Sequence, residues 1–447
     1  MNLTSRLRVK PAPMAHSDAI LPTALCREIL TAPLHETLAV PRNLSLRAIH
    51  NLPELLDLSA EWNELLAEYP PATTFSTMEW LASWWQSYGQ RSNLLVLALL
   101  DSESRLVGLA PLSICRERFG FTTLRVLRLM GDGSGDSDNL DMPVRPGYER
   151  EFATLLFEYL NEQRRGWDVC RLNTMPSNSP MVNLVAECCK SQRWLLFEYN
   201  RVCSFVPLPN SWEQYEEQLV SEDRKNLQRY ARRLQKRHVT RIYRCTREDE
   251  LDACLEALYR LHQLRWEKAG EPGSFSSPER RDFYGALSRR LLKCGQLEFW
   301  ILELDGVIRA AQFAFRFRNR VFQLQEGYDP DYSSDRVGFI LRGEALRQLL
   351  REGVTVYDFL GGTDAYKTRW GARVGSYIDL HFAPRLSQGG AVLWTLDSAS
   401  RGKRWLRSRL PAGTWRLLHK LNAGARGLQH RVGQSASQDS NSNESKL

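Results

Sequence analysis

The sequence predicts an α/β protein made of two similar domains in tandem, each a mixed sheet flanked by helices. Two observations carry that prediction. The first is an internal repeat. Residues 94–113 read as strand, turn, strand (LLVLALL, DSESR, LVGLAPLSI), and residues 297–317 repeat the plan as LEFWILEL, DG, VIRAAQFAF. Each copy adds a third strand (Leu124–Met130; Val321–Gln325), a Gly- and Asp-bearing loop (GDGSGDSDN at 131–139; EGYDPDY at 326–332), a helix (about 149–164; about 338–351) and a further strand (168–172; 354–360). A plan repeated at about two hundred residues marks duplicated units rather than chance. The second observation is the stretch Gly353–Gly371, GVTVYDFLGGTDAYKTRWG, a short apolar strand ended by a Gly-Gly turn.

In chain order, residues 1–43 show little periodicity and read as an N-terminal tail. Residues 44–210 hold the first copy and 211–383 the second. Residues 384–433 form a basic segment, and 434–447 (QSASQDSNSNESKL) is polar and low in complexity, the composition of a disordered tail. The 43% hydrophobic and 10% aromatic content suits a globular core. Nine cysteines without a CxxC pair or Cys/His cluster argue against a zinc site or a disulfide framework, and for a reducing compartment. The longest apolar run, Leu94–Leu100, is far short of a membrane span, and Pro11 and Pro13 interrupt the place of a signal-peptide core. The expectation is a cytoplasmic protein that binds no metal.

Within 353–371, Asp358 interrupts the apolar run, and a carboxylate inside a buried strand needs a partner. Lys367 is the nearest cation in sequence and is expected to fold back and pair with it. Tyr366, Lys367 and Trp370 fall at helical spacing, presenting phenol, ammonium and indole at the strand's end, where open α/β sheets bind ligands. Read blandly, the same stretch is a strand, a turn and a surface lysine.

The second copy also carries a candidate anion site. Tyr328 ends a strand, a polar loop through Ser334 and Arg336 follows, and Val337, Gly338 and Phe339 open an apolar-periodic helix. Free backbone N–H groups at a helix start attract phosphate, with Gly338 allowing close approach and Arg336 adding charge. Neither GxxxxGK[ST] nor GxGxxG is present. The first copy has no such loop, since its acidic GDGSGDSDNLD would repel phosphate, so it is assigned scaffolding or acceptor binding. Upstream, Ser221 is expected to cap a helix carrying Arg224, Lys225, Arg229, Arg232, Arg233, Lys236 and Arg237 over a buried stripe of Leu227, Tyr230 and Leu234. That row either binds phosphates, of an anionic substrate or of transfer RNA, or is a solvated amphipathic face. His262 and His381 read as structural residues. His262 has the stronger functional claim, with Arg265 and Trp266 behind it and 270–275 as a loop over a site.

Four segments together, FSTMEWLASWWQSYG (75–89), GLAPL (108–112), GYDPDY (327–332) and YDFLGGTDAYKTRWG (357–371), resemble the CelD-type acetyltransferases, tandem members of the GNAT superfamily related to Fem-type aminoacyltransferases. The resemblance spans about residues 44–383. Its most specific part is D-x-x-G-x-x-x-x-Y-K-x-x-x-G, at Asp358, Gly361, Tyr366, Lys367 and Gly371. Where the family has Ser-Pro-Gly before the cofactor helix, this chain has Arg336-Val337-Gly338. The resemblance implies two GNAT-like domains and acyl transfer from acetyl-coenzyme A, or another acyl-coenzyme A, to a small-molecule or glycan-precursor acceptor in envelope polysaccharide or cellulose synthesis. A base must take the acceptor's proton, and Glu326 and Asp358 are the candidates, with Tyr366 and Lys367 against the acceptor. Tyr328, Ser334, Arg336, Val337, Gly338 and Phe339 would hold the cofactor. Two alternatives stay open: Fem-type transfer from aminoacyl-tRNA, and a degenerate scaffold for a membrane-bound polysaccharide synthase.

Residues 384–433 carry ten Lys/Arg and one acidic residue, Asp397, interleaved with Trp394, Trp405, Trp415, Leu406, Leu417, Leu418 and Leu421. Basic segments of this kind lie on anionic membrane surfaces, and peripheral attachment at the inner face of the cytoplasmic membrane is expected, with docking onto a protein as the competing reading.

Overall fold

A computed structural model describes residues 43–269 and 273–409. The tails at 1–42 and 410–447, most of the basic C-terminal segment among them, and part of the 270–275 loop lie outside the described residues. The described chain is a mixed α/β protein in which a large sheet is flanked by helices.

The strands are β1 (Ser45–Ile49), β2 (Ser92–Leu100), β3 (Leu106–Phe119), β4 (Thr122–Leu129), β5 (Val169–Pro176), β6 (Trp194–Pro207), β7 (Thr240–Arg244), β8 (Leu297–Leu304), β9 (Val307–Phe317), β10 (Arg320–Tyr328), β11 (Val356–Gly361) and β12 (Arg373–Pro384). In the described residues they form one sheet in the order β1-β2-β3-β4-β5-β12-β6-β11-β10-β9-β8-β7. The repeat is visible in it: β2, β3 and β4 run antiparallel and β4 pairs parallel with β5, as β8, β9 and β10 do before β10 pairs parallel with β11. The crossover helices that parallel pairs require are Glu149–Glu162 and Val337–Arg351.

The halves do not stay apart. β12, from the second half, pairs with β5 of the first, and β6, from the first half, pairs with β11 of the second. β6 and β12 then pair antiparallel with each other along twelve residues, Arg373↔Phe205 through Pro384↔Trp194. Each half is therefore closed by a strand that the other contributes.

Side chains join the halves as well. Phe75 and Trp80, from the FSTMEWL segment, pack edge-on or tilted against Phe315 at 5.4 and 5.1 Å, and Trp80 meets Phe283 at 5.3 Å. Aromatic pairs at such separations add about 0.5–1.5 kcal/mol each beyond the area they bury. This face of the second half thus shares a hydrophobic core with the first half. The opposite face has its own core beneath the helices Ser221–Arg237 and Val337–Arg351. Those two helices come close at Gly343, where an added Cβ would stand 2.5 Å from Leu227 Cδ1, and that close approach sets the basic helix over the sheet. Ser221 proves to be the first helical residue. Val220 occupies the cap position, without a side-chain hydrogen bond.

The described residues from Ala391 onward belong to a separate compact unit. Its part of the helix Gln388–Arg409 exposes Trp394, Leu396 and Trp405, with Asp397 bonded to Arg401 at 2.8 Å. No helix of the described residues is long and apolar enough to cross a membrane.

Because each half lacks a central strand without the other, residues 43–390 should unfold as one unit. Tryptophan fluorescence and far-UV circular dichroism during chemical denaturation should trace a single coincident transition, and two separate transitions would contradict the shared sheet.

Candidate active site

β10 and β11 run side by side for only three pairs, Arg320↔Val356, Val321↔Tyr357 and Phe322↔Asp358. Beyond them β10 bulges between Gln323 and Gln325 and follows β9 to Tyr328, while β11 shifts register against β6 between Asp358 and Gly361. A bulge bends its strand and leaves ladder groups unpaired. Leu360 takes a left-handed φ of 59° and gives its N–H to Asp358 Oδ1 at 2.7 Å, fixing the divergence. The two strands part at their carboxyl ends, leaving a wedge in the sheet.

At the mouth of the wedge lies the candidate anion site. A 3-10 segment, Pro330–Asp335, leads into Arg336 at φ 58°, which caps the helix Val337–Arg351 with no side-chain hydrogen bond. The first backbone N–H bonded into that helix is Ile340's, to Arg336 O at 3.0 Å, so the turn of Val337, Gly338 and Phe339 presents the N–H groups that a helix start leaves unsatisfied. Beside it is a cavity of about 750 Å³ lined by Arg229, Tyr230, Arg233, Ser333, Ser334 and Arg336. Tyr230 packs half-buried against the core of Leu227 and Leu234 and also walls this cavity, and Arg229, then Arg336, lowers its phenol below the usual range. Asp335 is buried and held by Arg233 at 3.2 Å and Arg237 at 2.6 Å, which fixes the loop to the basic helix. A smaller cavity, about 330 Å³, lies between the carboxyl end of the Val337–Arg351 helix and the start of Trp212–Gln218, which Ser211 caps.

Gly338 packs beside Tyr328, with an added Cβ at an ordinary 3.5 Å, so no steric need in the unliganded protein calls for glycine there. Gly327 is different: a Cβ would meet His262 N at 2.8 Å, so β10 and the Glu248–Ala269 helix require it for packing. Phe339 meets Trp370 in a tilted contact at 4.8 Å.

One face of the wedge is closed by Arg342, which the sequence reading missed. Its guanidinium is buried, pairs with Glu326, and lies 5.2, 5.3 and 5.7 Å from the rings of Phe359, Tyr366 and Trp370. Tyr366 and Trp370 do stand together at the strand's end, as their spacing suggests, and a buried cation is what they surround. Glu326 is committed to that cation and to Gln312 Nε2 at 3.4 Å.

The expected pair of Asp358 and Lys367 is corrected by the structure. Asp358, 1% exposed, is bonded to Arg320 at 2.8 Å. Burial raises its carboxyl, against the pull of Arg320 and the Leu360 N–H. Lys367 turns its ammonium onto main-chain oxygens instead: Phe359 and Gly362 at 3.2 Å, and Gly361. Burial lowers its pKa, with Asp364, Asp138 and Asp358 acting the other way. Lys367 is the tie that holds the Gly361-Gly362 turn.

The acidic loop of the first half reaches this turn. Asp136 accepts from Arg280 and from Tyr284 Oη at 2.9 Å, Asn139 Nδ2 donates to Tyr377 Oη at 3.2 Å, and Asp138 Oδ2 accepts the Gly361 N–H at 3.1 Å. The histidines stand apart from it. His262 bonds Trp266 Nε1 and Ser274 Oγ, and His381, pushed down to about 3 by burial and then by Arg171 and Arg201, bonds Asn173 at 2.7 Å.

The parallel pair β10–β11 thus splays ahead of a helix start whose first N–H groups are free of side-chain caps. Residues 221–368 match the family described as Acetyltransferase (GNAT) domain. Among solved structures, FemX is similar at a TM-score of 0.55 and 11% identity, over 78% of this chain and 99% of its own. A conserved protein of unknown function from Bacteroides thetaiotaomicron VPI-5482 follows at 0.47 and 11% identity (73% and 97% covered), and a tandem GNAT protein from the clavulanic acid biosynthesis pathway at 0.42 and 11% (76% and 98% covered). At these identities the likeness is one of fold. No curated protein matches the chain.

Arg320→Met should destabilise the protein by about 2–3 kcal/mol, below the about 3–5 kcal/mol of a fully enclosed pair because Arg320 is partly exposed. Adding Asp358→Asn should restore most of it. Equal loss in the single and double variants under denaturant would show that no lone charge is at stake.

Proposed function

We propose that the chain transfers an acyl group, acetyl in the simplest case, from coenzyme A to an amine or hydroxyl acceptor, and that the donor binds in the second half. The carrying observation is the cavity walled by Arg229, Arg233 and Arg336, with Ser333 and Ser334, beside an uncapped helix start. That donor set suits a phosphorylated nucleotide: guanidinium groups and backbone N–H groups for phosphate oxygens, and hydroxyls that adapt to either role. The pantetheine arm would run into the wedge, where the bulge at Gln323–Gln325 frees β10 backbone groups to polarise the thioester carbonyl. Tyr328, Val337, Gly338 and Phe339 would line its path, and Tyr366 and Lys367 would shape the turn at the acceptor's side.

For a biological setting we infer envelope polysaccharide or cellulose synthesis. This rests on the resemblance and on the exposed tryptophans and cation excess after Ala391, which suit an anionic membrane surface. One observation favours a second reading, an aminoacyl-tRNA donor: the cation row of the 221–237 helix continues beyond the cavity to Arg232 and Lys236.

Calorimetry separates the two donors. Acetyl-coenzyme A should bind wild type. Arg336→Ala should weaken it about tenfold, the worth of about 1.5 kcal/mol for a hydrogen bond to a charged group. Gly338→Glu should abolish binding while the melting curve stays unchanged. Binding of tRNA but not coenzyme A would establish the Fem-type alternative, and binding of neither would leave a scaffold. In the same preparation, sedimentation with anionic vesicles that disappears at high salt tests the membrane contact, and its absence at low salt removes it.

A further inference from the structure

We propose that Asp138, carried by the first half, is the proton acceptor for the reaction in the second half. This rests on the donor reading above. Among the described residues four carboxylates stand near the wedge, Asp138, Glu326, Asp358 and Asp364, and all but Asp138 lie against a cation, Asp364 at 3.9 Å from Lys367 Nζ. Asp358 has one oxygen on the Leu360 N–H and the other on Arg320, while Glu326 is paired with Arg342. Asp138 differs. Its Oδ2 takes the Gly361 N–H at 3.1 Å, and among the described residues that is the one hydrogen bond its carboxylate makes. A base needs this geometry: one oxygen oriented by a fixed donor, the other left for the reactant. Gly361 is exposed and ends β11 on the side where the strands have parted, which puts the Asp138 carboxyl at that end of the wedge.

The surroundings tune it for the task. Asp138 is only partly exposed, and burial pushes its carboxyl up to about 6. The charge of Asp358 adds to the rise, while the Gly361 N–H, Lys367 and Arg201 restrain it. Burial, then the charges of Asp358 and Asp138, raises the thiol of Cys203 on β6 and the phenol of Tyr377 on β12, so both stay neutral neighbours. The carboxylate is therefore ionised at neutral pH yet basic enough to take a proton. In the step, the acceptor's lone pair forms a bond to the thioester carbonyl carbon and its proton passes to Asp138. The C–S bond then breaks, the coenzyme A thiolate departs with that electron pair, and the proton follows to the thiolate or to water. The assignment also gives the first half a chemical role: the second half holds the donor, and the first half supplies the base across the seam.

The test uses full-length protein, acetyl-coenzyme A and water as the surrogate acceptor. Wild type should hydrolyse the thioester slowly, with a rate that rises about tenfold per pH unit up to about pH 6 and then levels. Asp138→Asn retains an oxygen for the Gly361 N–H. It should bind acetyl-coenzyme A within about twofold of wild type, yet hydrolyse about 100-fold more slowly and without the acid limb. Asp138→Glu should regain part of the rate and the limb. Wild-type rate and pH profile in Asp138→Asn would overturn the assignment, as would a wild type that binds acetyl-coenzyme A without hydrolysing it between about pH 5 and 9. Failure of wild type to bind acetyl-coenzyme A at all would instead defeat the donor reading, and this inference with it.

Discussion

Strand β12 crosses to lie against β5, β6 crosses to lie against β11, and the two then pair with each other for twelve residues. Backbone hydrogen bonding across this seam is obligatory, because a central strand stripped of a neighbour leaves a row of buried donors and acceptors unsatisfied. The exchange therefore does more than join two similar units. It places the loop after β4 against the end of β11, and it sets Tyr377 of β12 and Cys203 of β6 beside Asp358. The polar groups around the candidate site come from both halves because the sheet is shared.

The second-half site then follows from local chemistry. The bulge in β10 and the left-handed Leu360 separate two strands that would otherwise continue in register. The opening on one face is sealed by Arg342 inside its aromatic ring set, and Lys367 ties the turn through three carbonyl oxygens. Outside, Asp335 anchors the loop to the basic helix, leaving Arg336 and the helix start facing the cavity. Rigid elements thus hold the guanidinium, hydroxyl and N–H groups around the cavity, with the wedge behind them.

Much of this was legible in the sequence because it is local. The strand order within each half comes from apolar runs and turn residues a few positions apart. The clustering of Tyr366 with Trp370, and the polar loop that ends at Arg336-Val337-Gly338, follow from spacing along one segment. What was not legible is set by register between distant strands. Arg320 outcompetes Lys367 for Asp358 because β10 places it two residues from Phe322, the register partner of Asp358, a relation that sequence proximity cannot reveal. Arg342 read as one polar residue of an amphipathic helix, and nothing nearby marks it as buried. Asp138 sat in a loop whose acidity suggested repulsion of phosphate. The available signal was that so acidic a loop needs partners, and Arg280, Tyr284 and the Gly361 N–H supply them from the other half.

Hydrogen exchange of the full-length protein, with and without coenzyme A, tests the division of labour most directly. Exchange should slow in residues 221–237 and 330–342, the basic helix and the helix start, with the corresponding first-half segment 131–152 unchanged. Protection that appears in 131–152 while 330–342 stays unchanged would contradict it, because the donor would then occupy the half assigned to the acceptor.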